Sequence, residues 1–548
     1  SFSFKFQINF QKNFTALLIN YLLWFLILIF CISLFKKRSS SLILYLSIFS
    51  FFTLANHLKI KILNLFVILN DIYLLKNSPK FLPDAIKQLS FFELYILSIF
   101  ILIFYLVIFL IKKITKQNLS FKKRIILLFI SIFFLTFPIF YPKHYKNILN
   151  KIKIDVYIWG PIENCKNNGI LFCFYDDLKN ISNPAPSNYN QSTIRQIFSQ
   201  INNENKSSQL QPNIIVILSE ALWDITKFKD VKFSTDPIPN IRKDIKSTLI
   251  SPTIGTATAN VEFEIITGFS NYFLNGIIPY SQAIRKDIPT LFTTFKDSGY
   301  QTTIIHPFFA AMYNRPQVYK NFGVDQFISQ EKMENTSKVG HFISDKNFID
   351  EILKQYNSST QPQFIFGLSM QNHFPFEPNL FPKQPINITT SISSDNLDIL
   401  NTYTNGINLT DQSYLYLKNE IIKSNKPTII ILFGDHLPLL NPGFKIYQYL
   451  NYPTNNQIEM RSTPITFWAN FDTNLKFEQP YLSPSFLGLE ILKMAQINPK
   501  YQFSYLESIS LTDTVLQSNI SPKFTPQQLK DYELIQYDII FGKQYSLK

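Results

Sequence analysis

Cysteine is scarce in this chain: there are three in 548 residues. Cys31 lies inside an apolar run, and Cys165 and Cys173 stand close together in a polar segment. So few cysteines exclude a disulfide-built scaffold, and no C-x-x-C pair supports a structural zinc site. One Cys165–Cys173 bond in an oxidising compartment and two free thiols are equally open. Charge is scarce as well. Only 16% of residues are charged while 46% are hydrophobic, a balance that fits a membrane part joined to a soluble part better than a soluble enzyme. The net charge of +14 does not mark a nucleic-acid partner, because the lysines are spread along the chain and no basic-aromatic module occurs. There is no internal repeat. The first apolar run is too long for a cleaved signal peptide, and no small-residue cleavage site follows it.

What is present begins with long apolar runs. FTALLINYLLWFLILIFCISLF, from Phe14 to Phe35, is uncharged and long enough to span a bilayer. Further runs extend over Ser41–Ala55, Phe91–Ile111 (with one acid, Glu93) and Ile125–Phe140. Lys36-Lys37-Arg38 and the basic stretch KKITKQNLSFKKR (112–124) mark the cytoplasmic side. Four spans then leave everything after Phe140 outside the cell membrane. The piece 59–75 holds Asn70 and Asp71 and reads as interfacial; as a fifth span it would move only the N-terminus to the cytoplasm. The expected organisation is a transmembrane domain over 1–141, a linker and lead-in segment over 142–209, and a catalytic domain over 210–548 with a smaller C-terminal subdomain.

After residue 210, short apolar runs alternate with longer mixed segments. NIIVILS (213–219), TTII (302–305), FIFGLSM (364–370) and TIIILFG (428–434) read as buried parallel strands, with helices between them. The predicted fold class is therefore an N-terminal α-helical membrane bundle followed by an α/β domain on a mostly parallel sheet. Polar residues follow each strand: Glu220 the first, His306 the second, His373 the third, and Asp435-His436 the fourth. In open α/β sheets ligands bind beyond the carboxyl ends of the strands. One histidine at such an end is an ordinary structural residue; four strands ending this way point to a site. Carboxylates, imidazole and hydroxyl oxygen suit a divalent cation such as Mn²⁺, Zn²⁺ or Mg²⁺. A nucleophile is offered by GTATANVEFEIITG (255–268), where Thr258 falls at the start of a predicted helix and Thr256 competes with it. A plain N-cap threonine explains Thr258 equally well.

These pieces, in this order, resemble the lipoteichoic acid synthase and sulfatase-like phosphoglycerol transferase family of the alkaline phosphatase superfamily. The resemblance rests on NIIVILSEALWD (213–224), GTATANVEFEIITG (255–268), HPFFAAMYNRPQVYKNFGVDQF (306–327), SMQNHFPFEP (369–378) and ILFGDHLPLL (431–440). WGPIENCKNNGILFCF (159–174) is similar to the family's approach to its enzyme domain. The resemblance implies a sulfatase-like fold in which Glu220, Thr258, Asp435 and His436 hold the metal, usually Mn²⁺. Thr258 would attack phosphatidylglycerol and carry a glycerophosphoryl group to a glycan or polyglycerolphosphate acceptor. Arg315 and His373 would hold that group, and His306 and Trp223 would line the pocket. The chain departs from the family at Val261, where Ser, Thr or Asp is common, and at Ala257, where Gly is common. The implied protein is an integral plasma-membrane enzyme with its catalytic domain periplasmic or extracellular. A phosphoethanolamine transferase and a sulfatase-like phosphodiesterase or hydrolase are the alternatives. A true sulfatase needs C/S-x-P-x-R, which is absent. A non-catalytic scaffold is disfavoured by the intact ligand set.

Overall fold

The computed structural model describes residues 14–63, 119–152, 161–180, 184–201, 211–274, 277–382 and 386–548, with isolated positions between them. The chain forms two compact units, Ser1–Pro184 and Ala185–Lys548.

In the first unit, α1 (Phe14–Leu34), α2 (Arg38–Leu63) and α3 (Phe121–Phe140) are each long and apolar enough to cross a membrane. Residues 41–55, expected as a complete run, form the middle of α2. Residues 59–63, expected at the interface, continue that helix without a break. The remainder of 59–75 and the expected run 91–111 lie outside the described residues but for isolated positions. Arg124, near the start of α3, donates from Nε to Ser33 O at 3.0 Å and from Nη2 to Leu34 O at 2.7 Å. It thus satisfies carbonyls that the end of α1 leaves open, where helix polarity favours a cation.

The 142–209 segment is largely helical where it is described: Pro142–Lys151, Pro161–Asn168, Ile170–Asp176 and, in the second unit, Gln191–Ser199. Its polar composition belongs to short helices that bury one face, as Ile194 and Ile197 do, rather than to loose chain. Asn20 of α1 donates to Asn168 O at 2.7 Å and accepts from Phe172 N at 3.1 Å. Cys165 and Cys173 pack together there as buried free thiols.

The second unit is built on a nine-stranded sheet. Its strands are β1 (Asn213–Ser219), β2 (Ile245–Ile250), β3 (Gln301–His306), β4 (Gln326–Ser329), β5 (Gln363–Leu368), β6 (Thr428–Gly434), β7 (Ser462–Thr466), β8 (Trp468–Ala469) and β9 (Tyr481–Leu482). The order is β9-β2-β7-β6-β1-β5-β3-β4, with β8 beside β6. From β6 to β4 all neighbours are parallel, while β7 runs antiparallel to both β6 and β2. The four expected strands are the parallel centre.

Both faces of that centre are covered, which explains runs without polar alternation. Ile214, Val216 and Leu218 enter one core with Ile429, Ile431 and Phe433; Ile215 and Ile217 enter the other with Ile430 and Leu432. Helices α4 (Thr258–Thr267) and α8 (Pro484–Met494) supply buried apolar residues to the first core. Helices α6 (Asp345–Asn357) and α7 (Ser394–Ser424) supply them to the second. Between α4 and α6 in the chain lies the short α5 (Arg315–Asn321).

Gly434 closes β6, and its role is close packing rather than a left-handed turn: a Cβ placed there would lie 1.8 Å from Leu222 O. Gly434→Ala should therefore destabilise the second unit by about 3 kcal/mol or more, since rigid backbone would have to move. Chemical denaturation followed by tryptophan fluorescence measures this; a cost under about 1 kcal/mol contradicts the packing account.

Candidate active site

Adjacent parallel strands in register deliver adjacent side chains. Ser219 of β1 pairs with Gly434 of β6, so Glu220 and Asp435 leave the sheet side by side, and His436 follows. Glu220 is 2% exposed, Asp435 0% and His436 2%. One ligand atom from each lies within 4.8 Å of the others. His436 Nε2 stands 3.2 Å from Asp435 Oδ2 and 3.8 Å from Glu220 Oε1. Glu220, Asp435 and His436 thus come together from positions more than 200 residues apart in sequence.

The surrounding backbone holds each group in place. Asp435 Oδ1 accepts from Ala221 N at 2.8 Å and from His436 N at 2.9 Å. Glu220 N donates to Ser369 Oγ at 3.0 Å. His436 Nδ1 is 3.0 Å from Leu437 O, so this nitrogen carries the proton and Nε2 presents its lone pair. Asp435 Oδ2 and His436 Nε2 are buried with no hydrogen-bond partner among the described residues. No Lys or Arg makes an ion pair with Glu220 or Asp435 among those residues. Two buried carboxylates facing an imidazole lone pair, with no cation of their own, are the donor set a divalent cation fits.

Thr258 is the first residue of α4 and half-buried. Its Oγ1 donates to Glu220 Oε2 at 3.2 Å. The N-cap is Ala257, in the left-handed region at φ 68°, and no side chain caps this helix. Thr258 is therefore free of the capping role that would have explained it trivially, and Thr256 lies outside the helix. The conformation of Ala257 is one that glycine takes without cost. Ala221 (φ 52°), Tyr313 (φ 58°) and Asn314 (φ 57°) share it. Ala221, Ala257 and Asn314 each adjoin a site residue, so strain of about 1–2 kcal/mol apiece sits around this centre.

Arg315, at the start of α5, is 2% exposed. Its Nη2 bonds Glu262 Oε2 at 3.0 Å and its Nε bonds Tyr319 Oη at 3.0 Å; Tyr319 Oη also donates to Glu262. Burial by itself lowers the guanidinium pKa, but Glu262 and Tyr319 hold it above its ordinary value, so Arg315 is charged. Glu262 and Tyr319 were not foreseen. Each has a signal, standing four residues after Thr258 and Arg315 respectively, on the same helix face.

His306 ends β3, 3% exposed, with Nδ1 3.2 Å from Leu368 O and Nε2 unpartnered. Burial first, then the Arg315 charge, hold it well below the usual imidazole range, so it is neutral. His373 is half-buried, its Nδ1 2.8 Å from Phe374 O, and it is lowered by burial while the Asp435 charge opposes the shift. Trp223 takes a different place from the pocket wall expected of it. It is fully buried in an aromatic cluster with Phe228, Tyr447 and Tyr452. Trp223 N donates to Tyr403 Oη, which donates to Ala221 O, so this cluster props the turn carrying Glu220.

Burial, and then the Asp435 charge, push the Glu220 carboxyl up to about 8. Raised above its ordinary value, this group stabilises the metal-free fold at low pH, and that contribution is lost as pH rises through about 8. A divalent cation must displace the proton. Its affinity should climb about tenfold per pH unit from about pH 6 to about pH 8 and then level off. Calorimetric Mn²⁺ titration across that range checks this; a flat profile contradicts it.

Comparison with known proteins agrees with this architecture. The Sulfatase family model matches residues 212–497. A protein of Rhizobium meliloti (strain 1021), provisionally described as a cyclic beta-1,2-glucan modification protein, is 34% identical over 421 residues, covering 73% of this chain and 66% of the relative. A lipoteichoic acid synthase-like protein of Bacillus subtilis (strain 168) is 27% identical over 153 residues, covering 27% of this chain and 24% of the relative. The matches thus span just under two thirds of the first relative's length and about a quarter of the second's. Among solved structures, the Streptococcus pyogenes phosphoglycerol transferase GacH in complex with sn-glycerol-1-phosphate superposes with a TM-score of 0.56 at 25% identity, covering 66% of this chain and 97% of that one. The chain belongs to the sulfatase family.

Proposed function

We propose that this protein is a membrane-anchored transferase that moves glycerol phosphate from phosphatidylglycerol to a glycan outside the cell membrane. The observation that carries the reading is the Thr258 hydroxyl held against Glu220 beside Asp435 and His436. Glu220 Oε2 takes the Thr258 proton as Oγ1 forms a bond to the donor phosphorus. The phosphorus–oxygen bond to diacylglycerol breaks, and diacylglycerol leaves as an alcohol with the proton that Glu220 took. An acceptor hydroxyl then bonds to the same phosphorus and gives its proton to Glu220, while the bond from phosphorus to Thr258 Oγ1 breaks and Oγ1 takes that proton back. A divalent cation held by Glu220, Asp435, His436 and the Thr258 oxygen, with Mn²⁺ the first choice, would acidify that hydroxyl and screen the phosphoryl charge.

Arg315 supplies a fixed positive charge for the phosphoryl oxygens, oriented by Glu262 and Tyr319 rather than by solvent. His306 and His373 are neutral, with Nδ1 facing the Leu368 and Phe374 carbonyls, so neither adds a charge to the site. The apolar helices α1, α2 and α3 keep the catalytic unit at the membrane that stores the donor. GacH, a solved structure similar to this chain, is a phosphoglycerol transferase in complex with sn-glycerol-1-phosphate, which favours phosphoglycerol over phosphoethanolamine. The relative matched over 73% of the chain is described through a glucan, whereas the lipoteichoic acid synthase-like match covers 27%, which favours a glycan acceptor over polyglycerolphosphate.

Thr258→Ala should abolish turnover of fluorescent phosphatidylglycerol by the detergent-solubilised full chain and leave its melting temperature within about 2 °C of the wild type, because the hydroxyl is half-buried and caps nothing. Turnover that survives the substitution removes Thr258 as nucleophile.

A further inference from the structure

Aromatic rings lead outward from the catalytic centre in an unbroken series. The His306 ring lies 6.1 Å from Phe308, which lies 5.2 Å from Phe309 and 6.0 Å from Phe342. Phe342 in turn lies 5.3 Å from His373, whose ring stacks on Phe374 at 4.9 Å. The inner end is buried at His306, while Phe309 at the outer end is 41% exposed. Phe308, Phe342, His373 and Phe374 are half-buried. None of this is needed to bind a metal or to attack phosphorus.

The series is not purely apolar. His341 flanks Phe342, and its Nε2 stands 3.5 Å from Glu377 Oε2. Glu377 Oε1 and His306 Nε2 are both buried atoms with no hydrogen-bond partner among the described residues. His306 Nδ1 faces the Leu368 carbonyl, so Nε2 is an acceptor, as is the carboxylate oxygen. Partly exposed rings, set mostly edge to face, thus occur together with buried acceptors that lack donors. An acyl chain would cover the rings and leave both acceptors unsatisfied, at a cost. A sugar ring meets both needs, laying its C–H face on an aromatic ring and turning its hydroxyls to the acceptors at the edge.

We propose that the Phe308–Phe309–Phe342–Phe374 platform, edged by His341 and Glu377, is the subsite that binds the sugar rings of a neutral glycan acceptor. The inference rests on the glycan-transfer reading above and deepens it. The platform ends at His306 and His373, which flank the centre holding Thr258, so a bound sugar extends a hydroxyl toward the phosphoryl group. The acceptor is selected by ring stacking and by two hydroxyl donors, not by charge.

The test uses the detergent-solubilised full chain and cyclic beta-1,2-glucan as the probe, with binding measured by calorimetry. Phe309→Ala and Phe342→Ala should each weaken glucan binding about tenfold. Leu511→Ala, on a side chain 86% exposed and outside the platform, should leave it unchanged. If Phe342→Ala does not fold, the exposed Phe309 position carries the test alone. Unchanged affinity in Phe309→Ala overturns the proposal. So does unchanged glucan affinity with weakened binding of phosphatidylglycerol micelles, which would make the platform an acyl-chain groove. Because the readout is binding, it is independent of turnover: a wild type that binds glucan through these rings yet consumes no phosphatidylglycerol supports the platform and refutes the transfer reading.

Discussion

Two carboxylates are driven into the interior with no Lys or Arg in an ion pair with them among the described residues, and the centre is organised around that constraint. Glu220 and Asp435 emerge from neighbouring parallel strands because Ser219 and Gly434 are paired in register. Their strands are buried on both faces, so neither carboxylate can move out to water. A buried charge without a partner costs several kcal/mol. The centre meets that cost in part by protonation, which is why Glu220 is pushed up to about 8. The arrangement is unfavourable for folding alone and suited to a cation.

The second charge centre is built on the opposite logic. Arg315 and Glu262 are also buried, but they are matched to each other, and Tyr319 completes the triangle. Helix α4 joins the two centres, because Thr258 and Glu262 lie one turn apart on it. A change in the pitch or position of α4 would move nucleophile and guanidinium together. The left-handed residues Ala221, Ala257 and Asn314 mark where backbone was bent to bring Glu220, Thr258 and Arg315 into one place. Glycine would be less strained at each, so Ala257 shows strain this chain sustains.

The parts of this arrangement that sequence could reveal are those written in one short stretch. A buried strand reads as an apolar run, and the polar residue after it reads as a group at the sheet edge; that was enough for Glu220, His306, His373, Asp435 and His436. Thr258 was legible as a helix start, although only the structure removes its capping role. Pairings across long separations were not legible. Glu262 looks like one acid in an apolar helix until Arg315, 53 residues on, closes against it. Trp223 follows Glu220 so closely that it read as a pocket residue, but a side chain two or three positions along a turn can point into the core, and this one does. Gly434 reads in sequence only as the end of an apolar run, while its constraint is the carbonyl of Leu222, visible only once β1 and β6 are paired. The helices within 142–209 are not legible from composition, since short helices that bury two or three apolar residues look like irregular chain in a polar count.

In the proposed reaction Thr258 carries the transferred group. The direct measurement is mass spectrometry of the proteolysed protein after incubation with phosphatidylglycerol and Mn²⁺ in the absence of acceptor. The predicted result is one glycerophosphoryl group on the peptide containing Thr258, formed with release of diacylglycerol and lost when glucan is added. Diacylglycerol release with Thr258 unmodified at every time point, or the adduct on another residue, would contradict it.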